Sequence, residues 1–226
     1  MRKVGRPPLP VDVVLRALLF RIREGCTWRA LSIFAPYTTI YTRWKLWCDS
    51  GLWQRIFKDL RKCAKGVLWA IDSTCIKVHK HGLGAAKVLG NQHVGRTRGG
   101  QNTKVHALVD SKGQPVEIIL SAGNRHDILF AAELVAGETA RTILADKAYD
   151  CDAFRDLLAE IGNQACIPPK DNRKDPEPFH KGHYKKRHRV ENFFQRIKEY
   201  RAIATRYEKR ADRFEALVLV ASILCW

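Results

Sequence analysis

The chain has 226 residues, 46% of them hydrophobic, so it can bury a sizeable core and is not disordered throughout. It contains no run of about 18 apolar residues, which argues against a membrane-spanning helix. The basic N-terminus is not followed by the apolar stretch of a signal peptide. We therefore expect a cytoplasmic protein that makes no use of a membrane.

The charge of the chain is strongly positive and unevenly placed. The formal net charge is +17, with +10 in residues 1–66, +8 in residues 170–210 and a nearly neutral remainder. Two basic surfaces on a neutral body suit a protein that binds the phosphate backbone of nucleic acid, where each contact releases condensed counterions. A surface for solubility, or for a membrane or acidic partner, is the alternative.

Cysteine and histidine spacing does not indicate a zinc site. The seven cysteines are scattered, without the two-residue spacing of zinc knuckles or redox dithiols, and predict free thiols in a reducing compartment. His79 and His81 lie two residues apart, yet no cysteine or carboxylate partner stands at metal spacing. We expect both histidines to be exposed or close to DNA.

Residues 1–65 predict a small all-helical module of helix-turn-helix type. Its third helix carries Arg43 and Lys45, which are candidates for binding DNA as part of a recognition helix. Any small helical bundle would show the same periodicity. The basic, proline-rich segment from Val4 to Pro8 resembles a minor-groove arm, or is simply a flexible terminus. The expected helices run from Val11 to Glu24 with Gly25 as the stop, from Thr27 to Pro36, from a cap at Thr38 or Thr39 to Gly51, and from Leu52 to about Lys62.

Residues 66–226 predict an α/β domain. Three early strands, then alternating helix and strand, is the order of a ribonuclease H-like fold. The expected strands are Val67–Ile71, Lys104–Val109, Pro115–Leu120, Arg141–Ala145 and Gln164–Ile167. The expected helices are Ile128–Val135, Cys151–Ile161, Tyr184–Tyr200 and Ala211–Cys225, with a charged loop from Pro168 to His183.

Two aspartates follow two of these strands. Asp72 comes directly after the buried run that ends at Ile71, and Asp146 comes after the strand that ends at Ala145. Neighbouring strand ends can bring two carboxylates together, and the usual remedy for their repulsion is a shared cation such as Mg²⁺ or Mn²⁺. A strand-ending aspartate is also a common turn or cap residue, so the pair alone is weak support.

A third acid stands in a sharper pattern. Tyr184, Arg187, Glu191 and Lys198 are separated by two, three and six residues, which places Arg187, Glu191 and Lys198 on one face of a helix. Phe193, Phe194 and Ile197 are available to bury its other side. The alternative is a solvated face of intrahelical ion pairs.

This spacing resembles the tyrosine-arginine-glutamate-lysine signature of the DDE transposases of bacterial insertion sequences, in the insertion sequence four and five group. Nearly the whole chain is similar, although Ala148 stands where the group commonly has glycine. The similar segments are Thr27 to Leu31, Gly51 to Trp53, Ile71 to Thr74, Gly95 to Gly100, Thr103 to His106 and Ala145 to Tyr149.

The resemblance implies an enzyme in which Asp72, Asp146 and Glu191 hold Mg²⁺, with Mn²⁺ as a substitute. Tyr184, Arg187 and Lys198 would then contact DNA at the end of the element, and Tyr184 is not needed as a nucleophile. The implied reaction is metal-dependent hydrolysis of a phosphodiester followed by strand transfer. The implied partners are double-stranded DNA, as terminal inverted repeats and target, and a second copy of the chain in a homodimer.

Two other functions fit parts of the sequence. A ribonuclease H-like structure-specific nuclease would share the acids but stop after hydrolysis. A sequence-specific DNA-binding regulator, or an inactive transposase remnant, would keep only the basic module. The module and the four-residue signature favour the transposase over the first, and the intact acids favour it over the second.

Overall fold

The computed structural model describes residues 7–84 and 90–226. It begins with three α-helices, α1 (Val11–Glu24), α2 (Tyr37–Asp49) and α3 (Leu52–Arg61), and a 3₁₀-helix, Trp28–Ile33, between the first two. Gly25 ends α1 with a φ of 66°, a left-handed conformation that favours glycine. The segment Val4–Arg6 of the proposed minor-groove arm lies outside the described residues.

The start of α2 differs from the prediction that Thr38 or Thr39 caps it. Pro36 precedes the first helical residue, Tyr37, so both threonines lie inside the helix. Proline is well suited to a helix start because its fixed φ matches the helix and no donor is needed there.

In the described part of the chain, seven strands form one sheet, and their order is that of a ribonuclease H-like fold. β1 pairs with β3 in antiparallel fashion, β3 pairs with β4 and β2, and β5 and then β6 continue in parallel on the other side of β1. The strands are β1 (Leu68–Val78), β2 (Gly95–Thr97), β3 (Gly100–Val109), β4 (Pro115–Ala122), β5 (Thr142–Leu144), β6 (Gln164–Cys166) and β7 (Thr205–Arg206).

The first strand is longer than predicted, so Asp72 lies inside β1 and not at its end. The antiparallel pairing continues to Lys77 opposite Asn102, whereas the parallel pairing with β5 stops at Ala70 opposite Leu144. Asp72 is therefore just past the last residue that β5 covers. The predicted strands also did not include β2 and β7.

The helices of the second half are α4 (Ala131–Leu134), α5 (Asp152–Glu160), α6 (Lys181–Tyr184), α7 (His188–Lys198), α8 (Arg201–Ala204) and α9 (Ala211–Ile223). The continuous helix predicted from Tyr184 to Tyr200 is wrong. A 3₁₀ turn, Lys185–Arg187, separates α6 from α7, so Tyr184 and Arg187 precede the α-helix that carries Glu191 and Lys198.

Two apolar cores cover the two faces of the sheet. One contains α1–α3, α7 and α9 against the face that includes Ala70 and Ile76, and the other contains α4 and α5 against the face of Ile71. Ion pairs also join the N-terminal helices to the remainder, from Arg61 to Glu138 at 2.7 Å and from Arg213 to Asp49. The helical module is therefore packed directly on the sheet domain.

In the described ranges no helix is both long and apolar enough to cross a membrane. All seven cysteines belong to those ranges, and none forms a disulfide.

Candidate active site

The three predicted acids come from three different elements of the fold. Asp72 belongs to β1, Asp146 follows β5 and begins the 3₁₀ turn Lys147–Tyr149, and Glu191 lies on α7, which packs on β1. Burial raises the pKa of the Asp72 carboxyl, and the charge of Asp146 acts in the same direction. The structure thus brings Asp72 and Asp146 within electrostatic reach of each other.

Arg187 joins Asp72 to Glu191. Its Nη1 donates to Asp72 Oδ2 at 2.6 Å, and its Nη2 donates to Glu191 Oε1. Only 17% of the Arg187 side chain is exposed, which weakens solvent screening of both pairs. Burial lowers the pKa of Arg187, but the two carboxylates outweigh it and the net shift is upward.

The other two residues of the signature also lie against this site. The Tyr184 ring is 6.0 Å from the Arg187 guanidinium, at the outer limit of a cation–π contact. Lys198 Nζ donates to Thr74 Oγ1 at 2.5 Å, two residues along β1 from Asp72 and on the same face of the sheet. Burial lowers the pKa of the half-buried Lys198.

An open cavity lined by two lysines and two aspartates adjoins Asp146. It has a volume of about 580 Å³ and is lined by Asp146, Lys147, Ala148, Lys170, Asp171 and Asn172. The buried Asp150 holds one wall in place, because its carboxylate accepts the Lys170 N–H at 2.8 Å and also binds Arg155 and Arg173. Burial opposes ionisation of Asp150, yet these donors together lower its pKa.

Sequence reasoning missed a polar cluster beside the acids. Asp127 accepts from Lys104 Nζ at 2.8 Å, and its charge, with those of Asp72 and Asp146, adds to burial in raising the pKa of Tyr149. The buried Tyr149 hydroxyl has no hydrogen-bond partner among the described residues. Asp127 therefore contributes a fourth negative charge to this neighbourhood.

The fully buried His106 completes the cluster. Its Nε2 lies 2.7 Å from Ser121 Oγ, its Nδ1 lies 3.7 Å from Asp127 Oδ1, and its ring stacks on Phe130. Burial lowers the pKa of His106 to about 4, so the imidazole stays neutral at pH 7.

This histidine makes stability depend on pH. Between pH 6.5 and about 4 the unfolded chain binds a proton that folded His106 does not, so the free energy of unfolding falls as pH falls through this window. Between pH 7 and pH 5 the free energy of unfolding should fall by about 2 kcal/mol less in His106→Gln than in the parent. Urea unfolding at the two pH values measures this free energy. The exposed His126→Gln is the control, and equal losses in parent and His106→Gln would contradict the prediction.

Arg43 and Lys45 lie away from the signature residues in sequence and on a different element, α2. Lys45 is exposed, and Arg43 lines a cavity of about 570 Å³ with Pro7–Pro10, Pro36 and Thr39. His81 is exposed, as expected, whereas His79 is only partly exposed. The His79 ring stacks on Tyr207, and its Nδ1 accepts from the His81 N–H.

The acids fit a divalent cation by their chemistry, since carboxylate oxygens are the ligands that Mg²⁺ and Mn²⁺ prefer. In the structure, Asp72 and Glu191 are both paired with Arg187. Within residues 7–84 and 90–226, no three His, Cys, Asp or Glu side chains are grouped as a ready metal cage.

The family models and the curated relatives that match this chain are all transposases. Residues 64–226 match the family model "Transposase DDE domain", and residues 1–57 match the model for transposases of the IS4/5 family. The chain is 35% identical over 126 residues to a Brucella ovis protein assigned as transposase for insertion sequence element IS6501, covering 55% of this chain and 97% of that protein. It is 25% identical over 160 residues to one from Burkholderia cepacia assigned to IS402, covering 62% and 74%.

Solved transposase structures show only distant similarity. A piggyBac transposase synaptic complex with hairpin DNA has a TM-score of 0.36 at 12% identity, over 48% of this chain and 24% of that one. A Mos1 transposase paired-end complex has a TM-score of 0.31 at 11% identity, over 90% and 83%. The fold assignment therefore depends on the strand order and the family match, which together show that this chain belongs to the DDE-domain transposases of insertion sequences.

Proposed function

We propose that this chain cleaves DNA at terminal inverted repeats and joins the freed end to target DNA. The observation that supports the proposal is the bridge that Arg187 forms between Asp72 on β1 and Glu191 on α7. Asp146 lies close enough to raise the pKa of Asp72, and Lys198 binds Thr74 two residues along the same strand. Carboxylates suited to a metal ion and cations suited to phosphate are then neighbours on β1 and on the segment from Arg187 to Lys198.

In this proposal Asp72, Asp146 and Glu191 hold Mg²⁺, or Mn²⁺ in its place. The cation supplies activation of the attacking oxygen and stabilisation of the leaving oxygen in an in-line displacement. Arg187 and Lys198 bind the phosphates that flank the scissile bond, and Tyr184 supports the Arg187 guanidinium through its ring. Asp150 keeps Lys170, which lines the cavity next to Asp146, in position.

The reaction has two displacements. Water adds to phosphorus at the end of the element, the bond to the 3′ oxygen breaks, and that oxygen leaves as a 3′-hydroxyl. The hydroxyl then attacks a phosphodiester of the target, forming a new bond and releasing a target 3′-hydroxyl. No protein–DNA bond is required, so Tyr184 has no nucleophilic role.

Residues 1–65 serve as the DNA-binding module and residues 66–226 as the catalytic domain. Two element ends must be held together for joining, so we propose a homodimer in the active complex. A cytoplasmic location remains part of this proposal.

The test is a labelled duplex carrying the inverted repeats that flank the coding region, incubated with Mg²⁺ or Mn²⁺ and a target duplex. Metal-dependent cleavage followed by joining supports the transposase. Cleavage without joining would favour the structure-specific nuclease. Specific binding without either product would favour a DNA-binding regulator or an inactive remnant.

The role of α2 has a separate test. If Arg43 and Lys45 neutralise phosphates, Arg43→Gln with Lys45→Gln should weaken binding to repeat DNA and lower the slope of log K against log salt by about 2. Fluorescence anisotropy at several salt concentrations measures the slope. Exposed Lys58→Gln on α3 is the control for lost charge. An unchanged slope in the double variant would remove α2 from the DNA interface.

A further inference from the structure

We propose that Arg187 is a built-in counter-cation, which a divalent metal must displace from Asp72 and Glu191 and which then becomes free to bind a DNA phosphate. This inference rests on the proposed function, because it uses the same three acids. It adds a competition between a residue of the chain and the metal.

The contacts of Arg187 are those of a bridging cation. Separate nitrogens of one guanidinium bind the two carboxylates, Nη1 to Asp72 at 2.6 Å and Nη2 to Glu191. A forked, charge-assisted pair of this kind is among the stronger contacts that a carboxylate makes. The oxygens engaged by Arg187 belong to two of the three acids that a metal would need.

The bridge joins elements that are far apart in sequence. Asp72 lies in the middle of β1, whereas Arg187 closes the 3₁₀ turn between α6 and α7. Arg187 and Glu191 are four residues apart, so their ion pair lies within one helical segment. The ion pair between Arg187 and Asp72 joins that segment to the sheet. The guanidinium therefore keeps the acids together before a metal ion enters.

Lys198 provides an internal comparison. It also lies against β1, but its ammonium donates to the hydroxyl of Thr74 and forms no ion pair with Asp72, Asp146 or Glu191 in the described contacts. Both cations lie near the acids, but only Arg187 occupies carboxylate oxygens. Removing Lys198 changes the local charge without opening a ligand position.

Competition at the acids links metal to DNA. A metal ion that displaces the guanidinium leaves a partly buried cation without its anions, and a phosphate placed beside it restores that pairing. DNA should therefore increase the affinity for metal, and metal should increase the affinity for DNA by the same factor. Arg187 is the residue through which this coupling passes.

The experiment measures Mn²⁺ binding to the full chain by the loss of the free-ion electron paramagnetic resonance signal, without DNA. Arg187→Gln should bind Mn²⁺ about tenfold more tightly than the parent, a usual size for coupling between sites. Lys198→Gln should gain much less, because it removes one positive charge but no competitor. Exposed Lys186→Gln, next to Arg187 in sequence, should match the parent.

A second measurement adds a short repeat duplex. DNA should tighten Mn²⁺ binding in the parent, and the tightening should be lost in Arg187→Gln. Circular dichroism confirms that each variant is folded. If Arg187→Gln does not fold, Arg187→Lys replaces it, since a single ammonium cannot fork to both carboxylates and should give a smaller gain of the same sign.

The inference would be overturned if Arg187→Gln bound Mn²⁺ no more tightly than the parent does. Arg187 would then only orient the acids. Asp146→Asn separates this outcome from failure of the proposed function. If the parent binds Mn²⁺ and Asp146→Asn does not, the acid site is supported even when Arg187→Gln binds no more tightly than the parent. Absence of binding in the parent and in Arg187→Gln would overturn both.

Discussion

Glu191→Gln should abolish cleavage and joining while leaving binding to repeat DNA intact. The substitution keeps the size of the side chain but removes the charge with which it would hold a metal ion. Loss of a cation that stabilises the transition state by several kcal/mol corresponds to a decrease in cleavage rate of about 10³-fold or more. Binding should persist because the basic module does not depend on this carboxylate.

The measurement compares single-turnover cleavage and anisotropy-based binding for the parent and the variant. Glu199→Gln is the matched control: it follows the same helix, is exposed, and should cleave at the parent rate. Asp72→Asn and Asp146→Asn should behave like Glu191→Gln. A Glu191→Gln protein that cleaves within about tenfold of the parent would exclude this residue as a metal ligand, since one decade is only about 1.4 kcal/mol.

The elements that carry Asp146 and Glu191 were predictable because each of these residues stands next to a strong local pattern. Asp146 follows a short buried strand, and Glu191 shares a helix with buried Phe193 and Ile197, so neighbouring residues gave the element. The length of β1 was underestimated because Asp72, Ser73 and Thr74 interrupt its apolar run. Alternation resumes at Ile76 and Val78, both buried, and this was the available signal that the strand continues.

No local sequence pattern predicted the polar cluster around Asp127. Lys104 and Asp127 are 23 residues apart, and the pairing of β3 with β4 brings them together. Likewise, Arg187, in the 3₁₀ turn before α7, contacts Asp72, which is 115 residues away in sequence. Such contacts depend on strand register and packing, which periodicity within one segment does not specify.

Arg206 is fully buried, and it forms no salt bridge among the described contacts. Its guanidinium donates to Thr103 Oγ1 at 2.7 Å, to the carbonyl of Gln92 at 2.8 Å and to the carbonyls of Glu208 and Lys209, and it lies over the Phe214 ring. Burial lowers its pKa to about 10, so it stays charged at pH 7. The side chain thus ties β7 and α9 to β3.

Arg206→Met should destabilise the fold because methionine fills much of the volume but leaves buried oxygens without donors. Each unsatisfied group costs about 1–3 kcal/mol, partly offset because a charge is no longer buried, and we expect a net loss of roughly 3 kcal/mol. For a chain of this length, that corresponds to a fall in Tm of about 10 °C. Calorimetry measures it, with Arg201→Met as the control, since 74% of that side chain is exposed and its contact with Glu24 is long at 3.4 Å. A Tm equal to that of the parent would show that the desolvation cost of Arg206 cancels its hydrogen bonds. A loss as expected would show that the hydrogen bonds of Arg206 stabilise the region in which β7 pairs with the C-terminal end of β1, the strand that carries Asp72.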